Sequence, residues 1–250
     1  MFDLIKARKN HGYQAIKNIA DAKILSEHRG FPVIDESKLN GNVESIINSC
    51  PTKAISDKPL AINLGKCIFC GECEKISYGA IKFSNNYKIG CDSEKKLAVD
   101  SSVTYEKFLD SAIEAKKEIH KIFGRSLKLR QVSAAGCNGC EMELNACGNV
   151  NFDMGRFGID FVASPKHADG IVITGPVSKN MSKALSDAYE SISEPKIVIA
   201  TGACAISGGL FADSKEINRT FFNNVKVDLF IPGCPPHPLV IINAILKFLE

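Results

Sequence analysis

The sequence predicts an α/β fold in which an open, mostly parallel sheet fills the C-terminal half and a small α+β domain precedes it. Two observations carry the prediction. From Leu127 onward, continuous apolar runs alternate with amphipathic stretches of helical length, as when strands buried on both faces are joined by helices. Ahead of them, Cys50-Pro51 and the run Cys67-Ile-Phe-Cys70-Gly-Glu-Cys73 frame a compact unit built around thiols. The 250 residues suffice for two modest domains. We place these at 1–100 and 126–250, with a connecting helix across 101–125.

Residues 1–25 carry Asp3 near the start and show helical spacing of Leu4, Ile5, Ala15, Ile16 and Ile19. They lack the apolar core and small-residue cleavage site of a secretory signal. No apolar run in the chain approaches the ~20 residues that cross a bilayer. A cytoplasmic location is the expectation. A formal net charge of +3, with no basic run interleaved with aromatics, argues against nucleic acid as a partner. In a reducing compartment ten cysteines read as metal or cluster ligands rather than disulfides.

Cys67, Cys70 and Cys73 form a C-x2-C-x2-C run. Bacterial-type ferredoxins use this spacing to set three thiolates on one 4Fe–4S cluster, and draw a fourth from a distant Cys-Pro. Here that partner is Cys50-Pro51. Gly71 suits a tight loop whose N–H groups turn toward the cluster sulfides. A faint internal repeat sharpens the reading. With Cys67 laid on Asn40, Cys70 and Cys73 fall on Val43 and Ile46, and Ser77 falls on Cys50. Asn40, Val43, Ile46 and Ser77 are then the positions that would have held a second cluster, while the complementary set is complete. The unit reads as a ferredoxin-like domain that lost one cluster and kept the other. Structural zinc also suits four cysteines, but such sites usually pair two C-x2-C knuckles instead of a triplet with Cys-Pro. Cys91 has no partner at ligand spacing and reads as a bystander.

Tyr105 to Phe123 reads as one helix, with Phe108, Ala112, Ile113, Ala115, Ile119 and Ile122 on one face. Ser101, Ser102 and Thr104 are candidate caps, and Gly124 a stop. Strands follow at Leu127–Val132, Gly170–Thr174, Lys196–Ala200 and Val227–Ile231. Helices follow at Glu141–Val150, Met181–Ile192 and Pro238–Leu249.

The remaining cysteines fall at the ends of these strands. Cys137 and Cys140 follow the first, Cys204 the third and Cys234 the fourth. In an open parallel sheet the carboxyl ends share one edge, where ligands bind, so three distant segments deliver four thiolates to one place. A small buried thiol is the ordinary reading of a single cysteine. It fits Cys147, inside a helix, and fits poorly four cysteines at equivalent points. Gly-rich turns also suggest a nucleotide or flavin in a flavodoxin-like sheet. However, no Gly-Lys-Ser/Thr and no G-x-G-x-x-G opening a helix is present, and cysteines occupy the loops that would hold phosphate.

Cys137-Asn138-Gly139-Cys140-Glu141, the stretch Gly202-Ala203-Cys204-Ala205-Ile206-Ser207-Gly208-Gly209, and Pro232-Gly233-Cys234-Pro235-Pro236 resemble the NiFe hydrogenase small subunit. The same family includes the 20 kDa subunit of complex I. The resemblance covers about half the chain, from near Ser126 to the end. It implies that Cys137, Cys140, Cys204 and Cys234 ligate a 4Fe–4S cluster beside a separate catalytic subunit. Complex I subunits carry adjacent cysteines at the first motif, unlike the C-N-G-C found here, and Ser164–Asp169 with His167 looks like formate-hydrogenlyase-type subunits. The twin-arginine signal and extra cluster domain of periplasmic uptake hydrogenases are missing. The match is to a membrane-associated, complex-I-related hydrogenase of energy-converting or formate hydrogenlyase type, and the fused ferredoxin-like module is a departure from it.

The expectation is an oxidoreductase subunit that relays electrons through two 4Fe–4S clusters to or from a NiFe site. That site lies on a partner large subunit, because only Cys91 and Cys147 remain here and a NiFe centre needs four more thiolates. Further ferredoxin-type and membrane subunits are expected partners. They would hold the chain at the cytoplasmic side of the inner membrane without a span of its own. No residue of the chain is assigned a catalytic role. Glu141 reads either as a proton relay or interface group or as a carboxylate placed at a helix N-terminus. His167 reads either as an interface group or as a structural histidine. The rival functions are a complex-I-like NADH/quinone module whose partner lacks NiFe, and a zinc-stapled scaffold.

Overall fold

The computed structural model describes residues 2–114, 117–124 and 126–250, without the side chains of Lys117 and Glu118. The chain opens with α1 (Phe2–His11), exposed along its length. Gly12, at φ +66°, ends it and donates to the Arg8 carbonyl at 3.0 Å. The helical spacing through Ile16 and Ile19 is therefore not helix, although Ile19 is buried.

A small α+β unit follows: β1 (Pro32–Ile34), α2 (Val43–Asn48), β2 (Ile55–Asp57), β3 (Leu60–Asn63), α3 (Glu72–Ile76), β4 (Ile81–Phe83) and β5 (Ala98–Asp100). β1 pairs with β4 and β2 with β3, both antiparallel, and β5 adds to β3. The helix-turn-strand α2–β2 recurs as α3–β4, at the offset of the sequence repeat. Ile46 and Ser77, which the repeat aligns with Cys73 and Cys50, are fully buried. Ser77 Oγ donates to the Glu74 carbonyl and accepts from the Ile81 N–H at 3.0 Å.

The single connecting helix is in fact two, α4 (Tyr105–Ala112) and α5 (Lys117–Phe123). Ile113 is extended, at φ −131° and ψ 118°. The cause lies next to it: Asp92 N–H donates to the Ala112 carbonyl at 3.0 Å, and its carboxylate accepts from the Glu114 N–H at 2.8 Å. The last turn is captured before it can propagate. Ala115, expected on the buried face, lies outside the described residues. Thr104 caps α4 by accepting from the Lys107 N–H.

The C-terminal half is β6 (Leu127–Ser133), α6 (Gly139–Ala146), β7 (Ile159–Phe161), β8 (Gly170–Thr174), α7 (Lys179–Glu190), β9 (Ile197–Thr201), α8 (Gly202–Ser207), α9 (Phe221–Asn224), β10 (Leu229–Ile231) and α10 (Pro238–Leu249). The strands form one parallel sheet in the order β7-β6-β8-β9-β10. Numbered within the sheet this is 2-1-3-4-5, the flavodoxin-like doubly wound order with its switch point beside β6. β8 and β9 are buried at every residue, which is why GIVIT and IVIAT carry no alternation. α6 starts and stops earlier than expected: it begins at Gly139 after Asn138 at φ +70° and ends with Cys147 as its cap. The short β7 was not expected.

The two halves share a core. Ile19, Phe31, Leu64, Ile89, Leu97 and Phe108 belong to the same apolar cluster as the parallel sheet. Cys91 bridges antiparallel to Phe230 through two backbone hydrogen bonds of 2.9 and 2.7 Å, covering the free edge of β10. Among the described residues no helix is long and apolar enough to cross a membrane.

Candidate redox centres

The two expected sets of cysteines come together as two sets. Cys50, Cys67, Cys70 and Cys73 line one small cavity, with Ile55, Ile62 and Phe83 behind them. Cys50 ends the turn after α2, Cys67 and Cys70 lie in the loop after β3, and Cys73 lies in the first turn of α3. Two backbone donors already aim at sulfur: Ala54 N–H to Cys50 Sγ at 3.2 Å and Phe69 N–H to Cys67 Sγ at 3.3 Å. Burial pushes the Cys67 thiol up to about 12, with Cys73, Cys50 and Cys70 adding to the shift. Burial likewise raises Cys73 to about 11, with Cys50 and Cys70 contributing.

The second set sits at the carboxyl edge of the parallel sheet. Cys137 and Cys140 follow β6, Cys204 lies in α8 just past β9, and Cys234 follows β10. Cys137 and Cys234 are exposed, whereas Cys140 and Cys204 are half-buried, so the site opens to the surface. Burial pushes Cys140 up to about 12, with Glu141, Cys204, Cys234 and Cys137 adding to it. Cys204 is raised to about 11 by burial and then by Cys234 and Cys137. Gly202, at φ +86°, lets β9 turn directly into α8, and a Cβ there would stand 2.5 Å from Cys140 Sγ. The glycine leaves room beside the sulfur that any other residue would fill.

Such donor sets fit an iron–sulfur cube. All the donors are thiols, four to a set; backbone N–H groups turn toward sulfur in the N-terminal set, and in the C-terminal set a side chain is omitted beside Cys140. Cluster ligation takes cysteine as the thiolate, so binding to a cationic centre would release protons from the raised thiols of Cys67, Cys73, Cys140 and Cys204. Among the described residues no three His, Cys, Asp or Glu converge to hold a single metal ion.

Cys91 and Cys147 join neither set. Cys91 is buried, with its Sγ near the Ile89 and Lys96 carbonyls, and Cys147 Sγ lies 3.2 Å from the Glu143 carbonyl. Glu141 is buried and accepts from Ser133 Oγ at 2.7 Å and Thr174 Oγ1 at 2.6 Å. Burial pushes its carboxyl up, but the hydrogen bonds from Thr174 and Ser133 outweigh this and hold it below the usual range. It ties the ends of β6 and β8 beneath the Cys137–Cys140 loop, with its carboxylate turned inward onto Ser133 and Thr174. His167 is exposed at the start of β8, the opposite edge of the sheet from the cysteines.

Sequence reasoning missed two arginines. Arg219 donates to the carbonyls of Cys204 at 3.1 Å and of Ala205 and Ile206 at 2.8 Å each. Arg29 Nη1 donates to the Phe69 carbonyl at 3.3 Å, inside the Cys67–Cys73 loop.

The model of the family described as NADH ubiquinone oxidoreductase, 20 kDa subunit, matches residues 137–248. The probable membrane-bound hydrogenase subunit mbhJ of Pyrococcus furiosus is 39% identical over 133 residues, which is 53% of this chain and 80% of that protein. Formate hydrogenlyase subunit 7 of Escherichia coli is 42% identical over 129 residues, 52% of this chain and 51% of that protein. An NADH-quinone oxidoreductase subunit of Citrifermentans bemidjiense is 44% identical over 108 residues, 43% of this chain and 63% of that protein. The chain thus spans about half the length of the formate hydrogenlyase subunit.

Proposed function

Because the chain belongs to the NADH ubiquinone oxidoreductase 20 kDa subunit family, an oxidoreductase-subunit family, we propose that it is the electron-transfer subunit of a hydrogenase complex. In this reading Cys50, Cys67, Cys70 and Cys73 hold one 4Fe–4S cluster, and Cys137, Cys140, Cys204 and Cys234 hold another. When bound, such clusters supply one-electron carriers. The chain's own residues hold the cysteines in place, shield the N-terminal set with Ile55, Ile62 and Phe83, and leave the C-terminal set open on one side. That opening is where a partner large subunit bearing NiFe would sit, with the chain peripheral to a membrane through further subunits. We keep 1–100, 101–125 and 126–250 as the units that bring each cysteine set.

The single observation that carries this proposal is the convergence of four thiols, drawn from three strand ends of the parallel sheet, on one partly open edge. Kinship to hydrogenase and formate hydrogenlyase subunits supports the partner assignment. A second reading, a complex-I-like NADH/quinone module whose partner lacks NiFe, draws on the NADH-quinone oxidoreductase relative. The Cys137-x2-Cys140 spacing favours the first.

The full chain, purified anaerobically, is expected to hold about eight irons and as much acid-labile sulfide, two four-iron clusters. Zinc in place of sulfide would end the cluster assignment. Co-purified with its large subunit, the complex is expected to contain nickel and to have its clusters reduced by dihydrogen. A complex with clusters but without nickel would move the function to the second reading.

A further inference from the structure

Between the two cysteine sites lies a cleft with Cys234 on one wall and Phe69 on the other. Phe69 stands between Cys67 and Cys70 and packs against both apolar cores. Arg29 lines the same cleft. A Cβ on Gly71 would stand 2.6 Å from Arg29 Nε and 3.0 Å from its Cζ. The guanidinium therefore occupies the space that a side chain at residue 71 would need, directly over the backbone between Cys70 and Cys73. Gly71 is at φ +80°, a conformation suited to glycine, so the loop both bends and makes room for the arginine at this residue.

The other ionisable side chains near this cation are Glu27 and His28 on the cleft and His237 beside His28. Glu27 accepts from Ser26 Oγ at 2.8 Å on the exposed rim. His28 is driven below its ordinary range by burial, which favours the neutral ring, and so is His237, packed edge-on at 6.0 Å. Among the described residues Arg29 is the guanidinium that lines this cleft, with the Glu27 carboxylate on the same rim.

We propose that Arg29 is a positioning residue that raises the reduction potential of the N-terminal cluster, by seating its guanidinium over Gly71 and anchoring the Phe69 carbonyl. The inference rests on the reading that Cys50, Cys67, Cys70 and Cys73 hold a 4Fe–4S cluster. Two effects act in the same direction. One-electron reduction adds one negative charge to the cluster with no bond made or broken, and a cation fixed nearby favours the more negative form. The hydrogen bond to the Phe69 carbonyl also supports Phe69 in its left-handed conformation, φ 55°, and there its N–H donates to Cys67 Sγ. N–H groups directed at ligand sulfur favour the reduced state as well.

The test is a dye-mediated redox titration of the full chain followed by electron paramagnetic resonance, comparing wild type with Arg29→Gln, Arg29→Met and Arg29→Lys. Gln and Met are expected to shift the N-terminal midpoint to more negative potential and the C-terminal midpoint by less. Lys, which restores the charge without the planar fork, is expected to recover part of the shift. Iron and sulfide content should stay at the wild-type value. An unchanged midpoint in a fully loaded Gln or Met variant overturns the proposal. So does loss of the N-terminal cluster in both variants with the C-terminal one retained, since Arg29 would then serve assembly instead of potential. Absence of sulfide from the wild-type chain would be a different failure, that of the cluster reading itself.

Discussion

At the scale of single residues, Arg219 does for the C-terminal site what a helix cap does for an ordinary helix. α8 is only six residues long, and its last carbonyls, at Cys204, Ala205 and Ile206, all accept from one guanidinium, whose carbon also lies 4.6 Å from the Phe222 ring centroid. Arg219→Met keeps the stem but leaves three carbonyls without a charged donor. We expect a loss of about 2 kcal/mol in denaturant unfolding, together with lower iron occupancy of the C-terminal site. A variant with wild-type stability and iron would show that the carbonyls find other donors. His28 makes a second prediction. Its Nε2 is buried without a partner, and burial lowers its pKa, as it does for His237. A depressed folded pKa means that the unfolded chain binds the proton more readily, so stability is full above about pH 6.5 and falls as pH drops through and below that value. Thermal unfolding between pH 7.5 and 5.5 should show this decline, and His28→Gln should flatten it; an equal slope in both proteins would assign the decline to other groups. The N-terminal cysteines were legible as a set because the Cys67–Cys73 spacing is a local signal, and the C-terminal ones because each follows a strand whose carboxyl end lies on a shared edge. The arginines were not, because Arg29 meets Phe69 40 residues away and nothing around Arg29 marks the encounter.

At the scale of elements, the α2–β2 and α3–β4 units carry packed side chains at the positions the sequence repeat aligns with ligand cysteines. Ile46 is fully buried, with Val43 and Ile76 packed against the same small core, and Asn42 Nδ2 donates to the Ile76 carbonyl at 3.0 Å. The core of this small unit thus includes, at the position the repeat aligns with Cys73, the side chain of Ile46. Ile46→Ala should cost about 2–4 kcal/mol and broaden the signal of the neighbouring cluster; a cost below about 1 kcal/mol would mean that the site collapses freely. In the parallel sheet, Gly202→Ala places a Cβ against Cys140 Sγ at a left-handed φ. We expect loss of the C-terminal cluster signal with the N-terminal signal kept, and full retention of both would count against the tight approach. Strands buried on both faces were legible as unbroken apolar runs. β7 escaped notice because three residues are too few to carry a period. The connecting helix broke where Asp92, distant in sequence, took its last carbonyl, a tertiary contact that overrides helical spacing.

At the scale of the molecule, the question is whether the two cysteine-bearing halves are one body. The exposed Lys53–Asp213 ion pair contributes little, since both side chains are more than four-fifths exposed. The joint is made elsewhere. Cys91 pairs with Phe230 along the edge of β10, and Gly90 lies so close to α10 that a Cβ would stand 2.5 Å from Ala244 Cβ. Asn243 Nδ2 reaches back to the Ile19 carbonyl at 3.2 Å. Cys91, a bystander for metal chemistry, is therefore part of the seam. If the seam is as continuous as these contacts imply, residues 126–250 expressed alone lose Ile19, Phe31, Leu64, Ile89, Leu97 and Phe108 from their core. They also expose the edge of β10 to pairing with another chain. The fragment should then be insoluble or bind hydrophobic dye, while the full chain unfolds in one cooperative transition. A soluble fragment that folds and takes up its own cluster would mean that the N-terminal unit is a tethered carrier, free to swing between donor and acceptor. A fused seam instead fixes the distance between the two centres, so the rate of transfer between them should not depend on solvent viscosity. Measuring that rate by rapid photoreduction in buffers of increasing glycerol content separates the two arrangements, and a rate that falls in proportion to viscosity would exclude the rigid one.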